Sequence, residues 1–359
     1  LAFVIRIDEA AFLRLVRGES RGLIPALSRL GLGAAAGLYR LGVGSRNLAF
    51  DRGWKPQHPI NVPVVSVGNL TLGGTGKTPM VEWIARWYRE RGVRVAILSR
   101  GYGDPSGMND EGRVLEENLP DVPHLQGADR VALARGAVEE LESEILVLDD
   151  GFQHRRLARD LDVVLLDALE PFGLGKIFPR GLLREPVGSL RRAGVVVLSR
   201  ADLVDESTQR AIRAEAERRS GPLRWVLARH APLDLIDSRG QSTPLANLPG
   251  RKVAAFCGIG NPEGFRRTLE GLGLDVVGFR AFPDHHPYTA SDVADLAGWV
   301  RSLGADLALT TQKDSVKLRV SGLGPVPLFA LRIGLDVMDG LETLATALSA
   351  LLPPGKDAP

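Results

Sequence analysis

Val64-Val65-Ser66-Val67-Gly68, then Gly73-Gly74-Thr75-Gly76-Lys77-Thr78, then Pro79 to Arg91: this stretch decides the fold. The first run is short, apolar and β-branched and reads as a buried strand, while the last carries Pro79 in its first turn and reads as a helix. Between them, small glycines let backbone N–H groups converge on phosphate oxygens. The helix N-terminus adds partial positive charge, and Lys77 can reach a transferred phosphoryl group. Thr78 is then placed to ligate Mg2+. The expected nucleotide-binding set is Thr71, Leu72, Gly73, Gly74, Thr75, Gly76, Lys77 and Thr78, with Thr71 standing where the full phosphate-loop pattern has its first glycine.

Outward from this loop, short apolar runs alternate with longer helical stretches: Val93 to Leu98, Ile145 to Leu148, Val163 to Leu166 and Val195 to Leu198. Continuous rather than alternating apolar character marks strands buried on both faces, so an α/β fold with a parallel sheet covered by helices is expected. A charged helical stretch from Glu206 to Arg219 runs into the breaker Ser220-Gly221-Pro222. Beyond it the alternation resumes at Leu223 to Leu227, Val253 to Cys257, Val276 to Phe279, Leu307 to Thr310 and Pro327 to Leu331. The expected organisation is an N-terminal helical segment over 1–55, a phosphate-loop core over 56–220 and a smaller α/β domain over 221–359. Leu352-Pro353-Pro354-Gly355 closes the chain in a tail expected to be disordered.

A metal-side partner for such a loop is a buried strand ending in a carboxylate, and Ile145-Leu146-Val147-Leu148-Asp149-Asp150 supplies it. Hard Mg2+ wants oxygen ligands, so one of Asp149 and Asp150 would bind directly and the other through water. The sequence leaves open which does which.

At 359 residues, with 44% hydrophobic and 25% charged side chains, the composition excludes disordered, collagen-like and coiled-coil classes. A formal net charge of +2 does not announce a nucleic-acid partner. The single cysteine, Cys257, cannot form an intramolecular disulfide and reads as a small buried hydrophobe. Arg6, Asp8 and Glu9 interrupt the apolar N-terminus before a secretory h-region forms, so a cytoplasmic protein is expected. The longest early uncharged run, Leu30 to Tyr39, is too short to span a bilayer. Residues 1–55 nevertheless hold nine basic against four acidic side chains. Phe3, Val4, Ile7, Ala11, Leu15 and Val16 recur at helical spacing among Arg14, Arg17 and Arg21, the pattern of a basic amphipathic helix. Such a helix lies on an anionic bilayer or packs on its own domain; periodicity alone favours neither.

Several blocks together carry a resemblance. Gly68 to Pro79, Ser99-Arg100-Gly101-Tyr102-Gly103, Asp149-Asp150-Gly151-Phe152-Gln153-His154, Pro179 to Pro186, Gly258-Ile259-Gly260-Asn261-Pro262 and Thr311-Gln312-Lys313-Asp314 follow one another in the order of a known family. The sequence resembles tetraacyldisaccharide 4'-kinases, the ATP-dependent lipid A kinases of Gram-negative bacteria. The resemblance implies ATP and Mg2+ as cofactors and an acylated disaccharide 1-phosphate as acceptor. It also implies an enzyme docked by its first helices on the cytoplasmic face of the inner membrane, with no nucleic acid or obligate protein partner. Asn109-Asp110-Glu111-Gly112 is similar to the family's G-D-E-P, and Asp284-His285 to its D-H motif. By resemblance Asp110 is the catalytic base, paired with His285, and Asp284 is in turn placed to hold the imidazole. Arg180 and Leu182 stand where the family carries a small residue and a proline, which leaves the contacts of that loop undefined.

Other readings stand beside this one. The two histidines of Phe282-Pro283-Asp284-His285-His286-Pro287 lack the partners or spacing of a metal site. Gly258 to Gly264 does not match the dinucleotide fingerprint and reads as a glycine-bearing βα turn with Pro262 in the first turn of its helix. Ser199-Arg200-Ala201-Asp202 has the placement of a guanine-reading motif, so a nucleotide-switch GTPase or metallochaperone is the alternative function.

Overall fold

A computed structural model describes residues 9–101, 110–248, 250–318 and 320–356. In chain order these fold as α1 (Glu9–Arg17), α2 (Leu23–Asp51), β1 (Val64–Asn69), α3 (Lys77–Arg89), β2 (Val95–Ser99), α4 (Asp110–Asn118), β3 (His124–Gln126), α5 (Arg130–Glu139), β4 (Ile145–Asp149), β5 (Leu161–Asp167), β6 (Val195–Ser199) and α6 (Glu206–Ser220). There follow β7 (Trp225–Ile236), β8 (Ser242–Pro244), β9 (Lys252–Cys257), α7 (Pro262–Gly271), β10 (Asp275–Ala281), α8 (Ala290–Ser302), β11 (Leu307–Thr311), α9 (Gln312–Leu318), β12 (Gly322–Leu323), β13 (Val326–Asp339) and α10 (Leu341–Ser349).

The chain packs as two compact units, and these interleave rather than follow the linear order expected from the breaker at Gly221. The larger comprises Leu1–Arg100, Gly127–Arg229 and Val337–Pro359; the smaller comprises Gly101–Gln126 and His230–Asp336. Long strands explain the interleaving. β7 continues through Arg229 instead of ending at the apolar run that marks it in the sequence, and β13 runs on to Asp339. It delivers α10 back to the larger unit, where the Tyr88 hydroxyl of α3 donates to the Leu348 carbonyl (2.9 Å). The C-terminal tail is docked there too, with Lys356 Nζ donating to the Gly92 carbonyl instead of trailing free.

In the larger unit β6, β5, β1, β4 and β2 form parallel pairs in that order. β1, β4 and β6 are buried along their whole length, as continuous apolar runs require when helices cover both faces. The smaller unit has its own parallel order, β10-β9-β11-β13. Alternate residues of β9 feed two cores: Val253, Ala255 and Cys257 pack with Leu269 of α7, while Ala254 and Phe256 pack with Leu296 and Val300 of α8. Cys257 is a buried core residue whose thiol burial pushes up to about 12, so it stays protonated and unreactive.

Among the described residues no helix is long and apolar enough to cross a membrane. Phe3, Val4 and Ile7 of the expected amphipathic helix lie outside the described residues; α1 carries Ala11, Leu15 and Val16 with Arg14 and Arg17, whereas Arg21 falls in the break before α2. The larger apolar exposure belongs to α2, whose Leu23, Leu27, Leu30, Leu38, Leu41 and Leu48 recur every three to eight residues and are all exposed, Leu23 by 83% and Leu30 by 73%. Its opposite side buries Ala36, Val43, Asn47 and Phe50.

Candidate active site

The phosphate loop is suspended from both ends. β1 finishes at Asn69, whose side-chain amide donates to Thr75 Oγ1 (3.0 Å) while its own carbonyl accepts from Gln153 Nε2 (2.9 Å). The N–H of Leu72 donates to the Leu182 carbonyl (2.8 Å), and that of Arg184 to the Leu70 carbonyl (2.7 Å). From the far side Ser199 Oγ donates to the Thr75 carbonyl (2.8 Å) and Arg200 Nη2 to the Gly74 carbonyl (2.9 Å). Gly73 (φ +105°) and Gly76 (φ +86°) occupy the left-handed region that other residues resist. α3 begins at Lys77 with no side-chain cap on its first amides, which leaves those N–H groups available to an anion.

Beside the loop lies the turn after β4. Asp149 ends the strand buried, and Asp150 takes φ +52°. Lys77 Nζ lies 3.6 Å from Asp150 Oδ1, and Arg184 Nη1 lies 2.9 Å from both of its carboxylate oxygens. Burial alone would raise the Asp150 carboxyl, but Lys77 and Arg184 outweigh it and hold the group below the ordinary aspartate value. Two glycines permit this closeness: a Cβ on Gly68 would meet Phe152 Cβ at 2.5 Å, and one on Gly151 would meet Ser66 Oγ at 2.6 Å.

The block Pro179 to Pro186, whose contacts the sequence left undefined, ties this turn to the N-terminal helices. Arg184 holds Asp150. Its neighbour Glu185 is fully buried and takes Arg46 Nη2 (3.0 Å), Asn47 Nδ2 (3.1 Å) and Arg192 Nη2 (2.8 Å). Arg180, one of the two residues that depart from the family pattern, donates to the Val16 carbonyl of α1 (2.8 Å).

The smaller unit brings together another cluster. Asp110 opens α4, and its Oδ2 lies 3.2 Å from His285 Nδ1 and 3.7 Å from Lys317 Nζ. Lys317 also pairs with Asp314 (3.1 Å), a fully buried carboxylate that accepts from the Gly258 N–H (2.9 Å) and the Thr311 hydroxyl (2.7 Å). The glycine turn after β9 is thereby explained without a dinucleotide: a Cβ on Gly258 would press on Asp314, His286 and Pro283 at 3.1 to 3.2 Å. Asp284 does not hold the imidazole, as the sequence suggested. Its Oδ1 accepts from the backbone N–H of His285 (3.0 Å), fixing that residue at φ +56°. His286 stacks on Phe282 and pairs with Asp292 (3.4 Å), and among the described residues no group of three or more His, Cys, Asp or Glu forms a metal cage.

The structure thus joins Lys77 to Asp150 and Asp110 to His285. Tyr102, Gly103 and Asn109 of the remaining blocks lie outside the described residues. Sequence reasoning missed Lys317, three residues beyond the Thr311 to Asp314 block, and the part played by Arg200, which is held by Asp167 (2.8 Å) on the phosphate loop.

The family model for tetraacyldisaccharide-1-P 4'-kinase matches residues 29–352. The chain belongs to the tetraacyldisaccharide 4'-kinase family. A family member from Anaeromyxobacter sp. (strain Fw109-5) is 42% identical over 95% of each chain. One from Syntrophus aciditrophicus is 40% identical over 78% of this chain and 82% of its own. The crystal structure of LpxK from Aquifex aeolicus, in complex with ATP, superposes with a TM-score of 0.73 at 31% identity, covering 90% of this chain and 99% of that one. Membership makes the phosphate loop that of a kinase and sets the GTPase or metallochaperone alternative aside. The Ser199 to Asp202 segment that prompted it supports the loop through Ser199 and Arg200.

Proposed function

We propose that this chain transfers the γ-phosphate of ATP to the 4'-hydroxyl of a tetraacylated glucosamine disaccharide 1-phosphate in lipid A biosynthesis. The observation that carries the reading is the convergence of Lys77 and Arg184 on Asp150 beside an uncapped helix N-terminus, in a chain of this family. Amides from Gly73 onward cradle the phosphates, since that of Leu72 is already engaged by Leu182. Lys77 moves its charge from Asp150 to the transferred phosphoryl group. The Thr78 hydroxyl, Asp149 and Asp150 form a hard-oxygen donor set that suits Mg2+, which when bound neutralises charge developing on the phosphates. Two carboxylates are enough, because Mg2+ at such sites keeps waters and phosphate oxygens as its other ligands.

Asp110 accepts the proton of the sugar hydroxyl, and His285 orients the carboxylate and stabilises its charge as it does so. We read 1–55 as the segment that docks the enzyme peripherally on the cytoplasmic face of the inner membrane, with 56–220 binding the nucleotide and 221–359 contributing His285. The exposed leucines of α2 and the basic excess of that segment support this. Transfer of label from [γ-32P]ATP to a tetraacyldisaccharide 1-phosphate in detergent is the test, with Lys77→Ala as the inactive control. A folded, ATP-binding protein that makes no labelled product would refute the proposal.

A further inference from the structure

A cavity of about 480 Å3 opens in the larger unit between α2 and the loop that precedes Arg184. Arg40, Lys176, Arg180 and Arg219 all line it, and no carboxylate does. Its α2 wall is low because Gly33 and Gly37 carry no side chains there. Arg219 is paired with Glu215, and Arg180 donates to the Val16 carbonyl. Among the described residues Arg40 and Lys176 enter no ion pair. Four cations around one space repel one another unless an anion joins them, and the volume suits a phosphate with a small polar substituent.

The cavity's position narrows the anion. At 3.6 residues per turn Gly37, Gly33 and Arg40 lie on one flank of the exposed leucine stripe of α2, roughly 50° to 110° round the helix from its centre, with Arg40 the farthest. With that stripe in the acyl boundary of a bilayer, the mouth of the cavity sits at headgroup depth. Basic side chains at that depth recognise lipid phosphate.

We propose that this cavity is a binding site for the headgroup phosphate of an anionic glycerophospholipid, distinct from the phosphate loop. Arg40 and Lys176 are the recognition cations, and Arg180 and Arg219, already held by protein groups, form the fixed side of the site. The acyl chains of the bound lipid lie along α2. Occupation would set α2, and through Arg46, Asn47 and Glu185 the loop carrying Arg184, in one position.

The inference rests on the membrane-docking reading above, and its test separates the two. Full-length protein is floated with phosphatidylcholine vesicles containing either phosphatidylglycerol or, matched for charge, cholesteryl hemisuccinate, which has a carboxylate and no phosphate. Arg40→Gln with Lys176→Gln should weaken binding to phosphatidylglycerol vesicles about 25-fold, or roughly fivefold per cation, and scarcely alter binding to hemisuccinate vesicles. Arg14→Gln with Arg17→Gln, which removes two exposed α1 cations outside the cavity, should weaken both alike. Equal losses on both vesicles for the cavity pair would overturn the site in favour of diffuse charge. Unchanged vesicle binding, with a raised KM for the acceptor in phospholipid-free detergent, would overturn it by assigning the cavity to the acceptor's own phosphate. Wild-type binding by Leu27→Ser, Leu38→Ser, Leu41→Ser together would refute membrane docking itself.

Discussion

Gly68→Ala tests whether the short distance between β1 and the Asp149-Asp150 turn is what makes the nucleotide site. The added methyl would lie 2.5 Å from Phe152 Cβ and 2.8 Å from its backbone nitrogen. Non-bonded carbons rest at about 3.5–4.0 Å, so strand and turn must separate by roughly 1 Å. Phe152 cannot yield by moving outward, because it is fully buried with the Arg192 guanidinium 4.3 Å over its ring. The separation therefore falls on the hydrogen bonds that clip the turn to β1, from the Gly151 N–H to the Val67 carbonyl (3.0 Å) and from Gln153 to the Asn69 carbonyl (2.9 Å). Overpacking of this kind costs about 1–3 kcal/mol, a few degrees of Tm in a protein of this size. Catalysis should suffer more, since a misplacement of about 1 Å at a positioned group costs on the order of 100-fold. The expected result is a folded protein with kcat reduced about 100-fold and a modest change in Tm. Gly31→Ala is the control, because its Cβ meets nothing within 4 Å on α2 and should leave turnover unchanged. Near wild-type kcat in folded Gly68→Ala would refute the dependence on this contact.

Asp149→Asn and Asp150→Asn should each raise the Mg2+ concentration for half-maximal rate; unchanged titrations in both would remove the pair from the metal site. Asp110→Ala and His285→Ala should each lower kcat by about 10²–10⁴ with ATP affinity kept, and the double variant should lose little more; multiplicative losses would show independent roles. His154 lies beside the nucleotide turn, where burial and then the charges of Arg130, Arg156 and Arg159 push its imidazole down to about 4. The unfolded chain then takes up a proton near pH 6.5 that the folded chain refuses until about pH 4, so this contribution to stability is full above pH 6.5 and is lost as pH falls between those values. After allowance for solvent screening the loss is of order 1–2 kcal/mol. His154→Gln should flatten that part of the urea-midpoint profile, and identical slopes in wild type and variant would count against it.

The nucleotide half of the fold was legible because its signals are local. A parallel strand buried on both faces must be a continuous apolar run, as Val64 to Val67 and Ile145 to Leu148 are, and a phosphate loop must put glycine where φ is positive, as at Gly73 and Gly76. The helical segment expected over 1–55 contains α2, but the sequence did not single out α2 as its most exposed apolar part, for a physical reason. Its exposed face is as apolar as its buried face, so Leu23 to Asp51 lacks the polar-apolar contrast by which a surface helix is read. The interleaving of the units was hidden likewise, since β7 and β13 extend past their apolar runs into polar sequence such as Arg229-His230 and Asp336. Asp110 and His285 are 175 positions apart, and only the resemblance paired them; Lys317, with no motif of its own, could come only from the fold.

Arg184 and Glu185 show why a matched motif still did not disclose its work. The segment before them runs extended, bridging Thr71 and Ile177 through Leu183, and along extended chain successive side chains leave on opposite sides. Arg184 accordingly reaches the nucleotide turn at Asp150, while Glu185 turns the other way into Arg46 and Asn47 of α2. Replacing either by a neutral residue would strand a charge: Asp150 would keep only Lys77, and Arg46 and Arg192 would lose their buried counter-ion. Asp150 and α2 are thus separated by a single peptide bond's change of side. On the membrane-docking proposal, a displacement of α2 at a lipid surface would reach the Asp150 carboxylate through the adjacent Glu185 and Arg184, by way of the side-chain contacts that Arg46 and Asn47 make to Glu185.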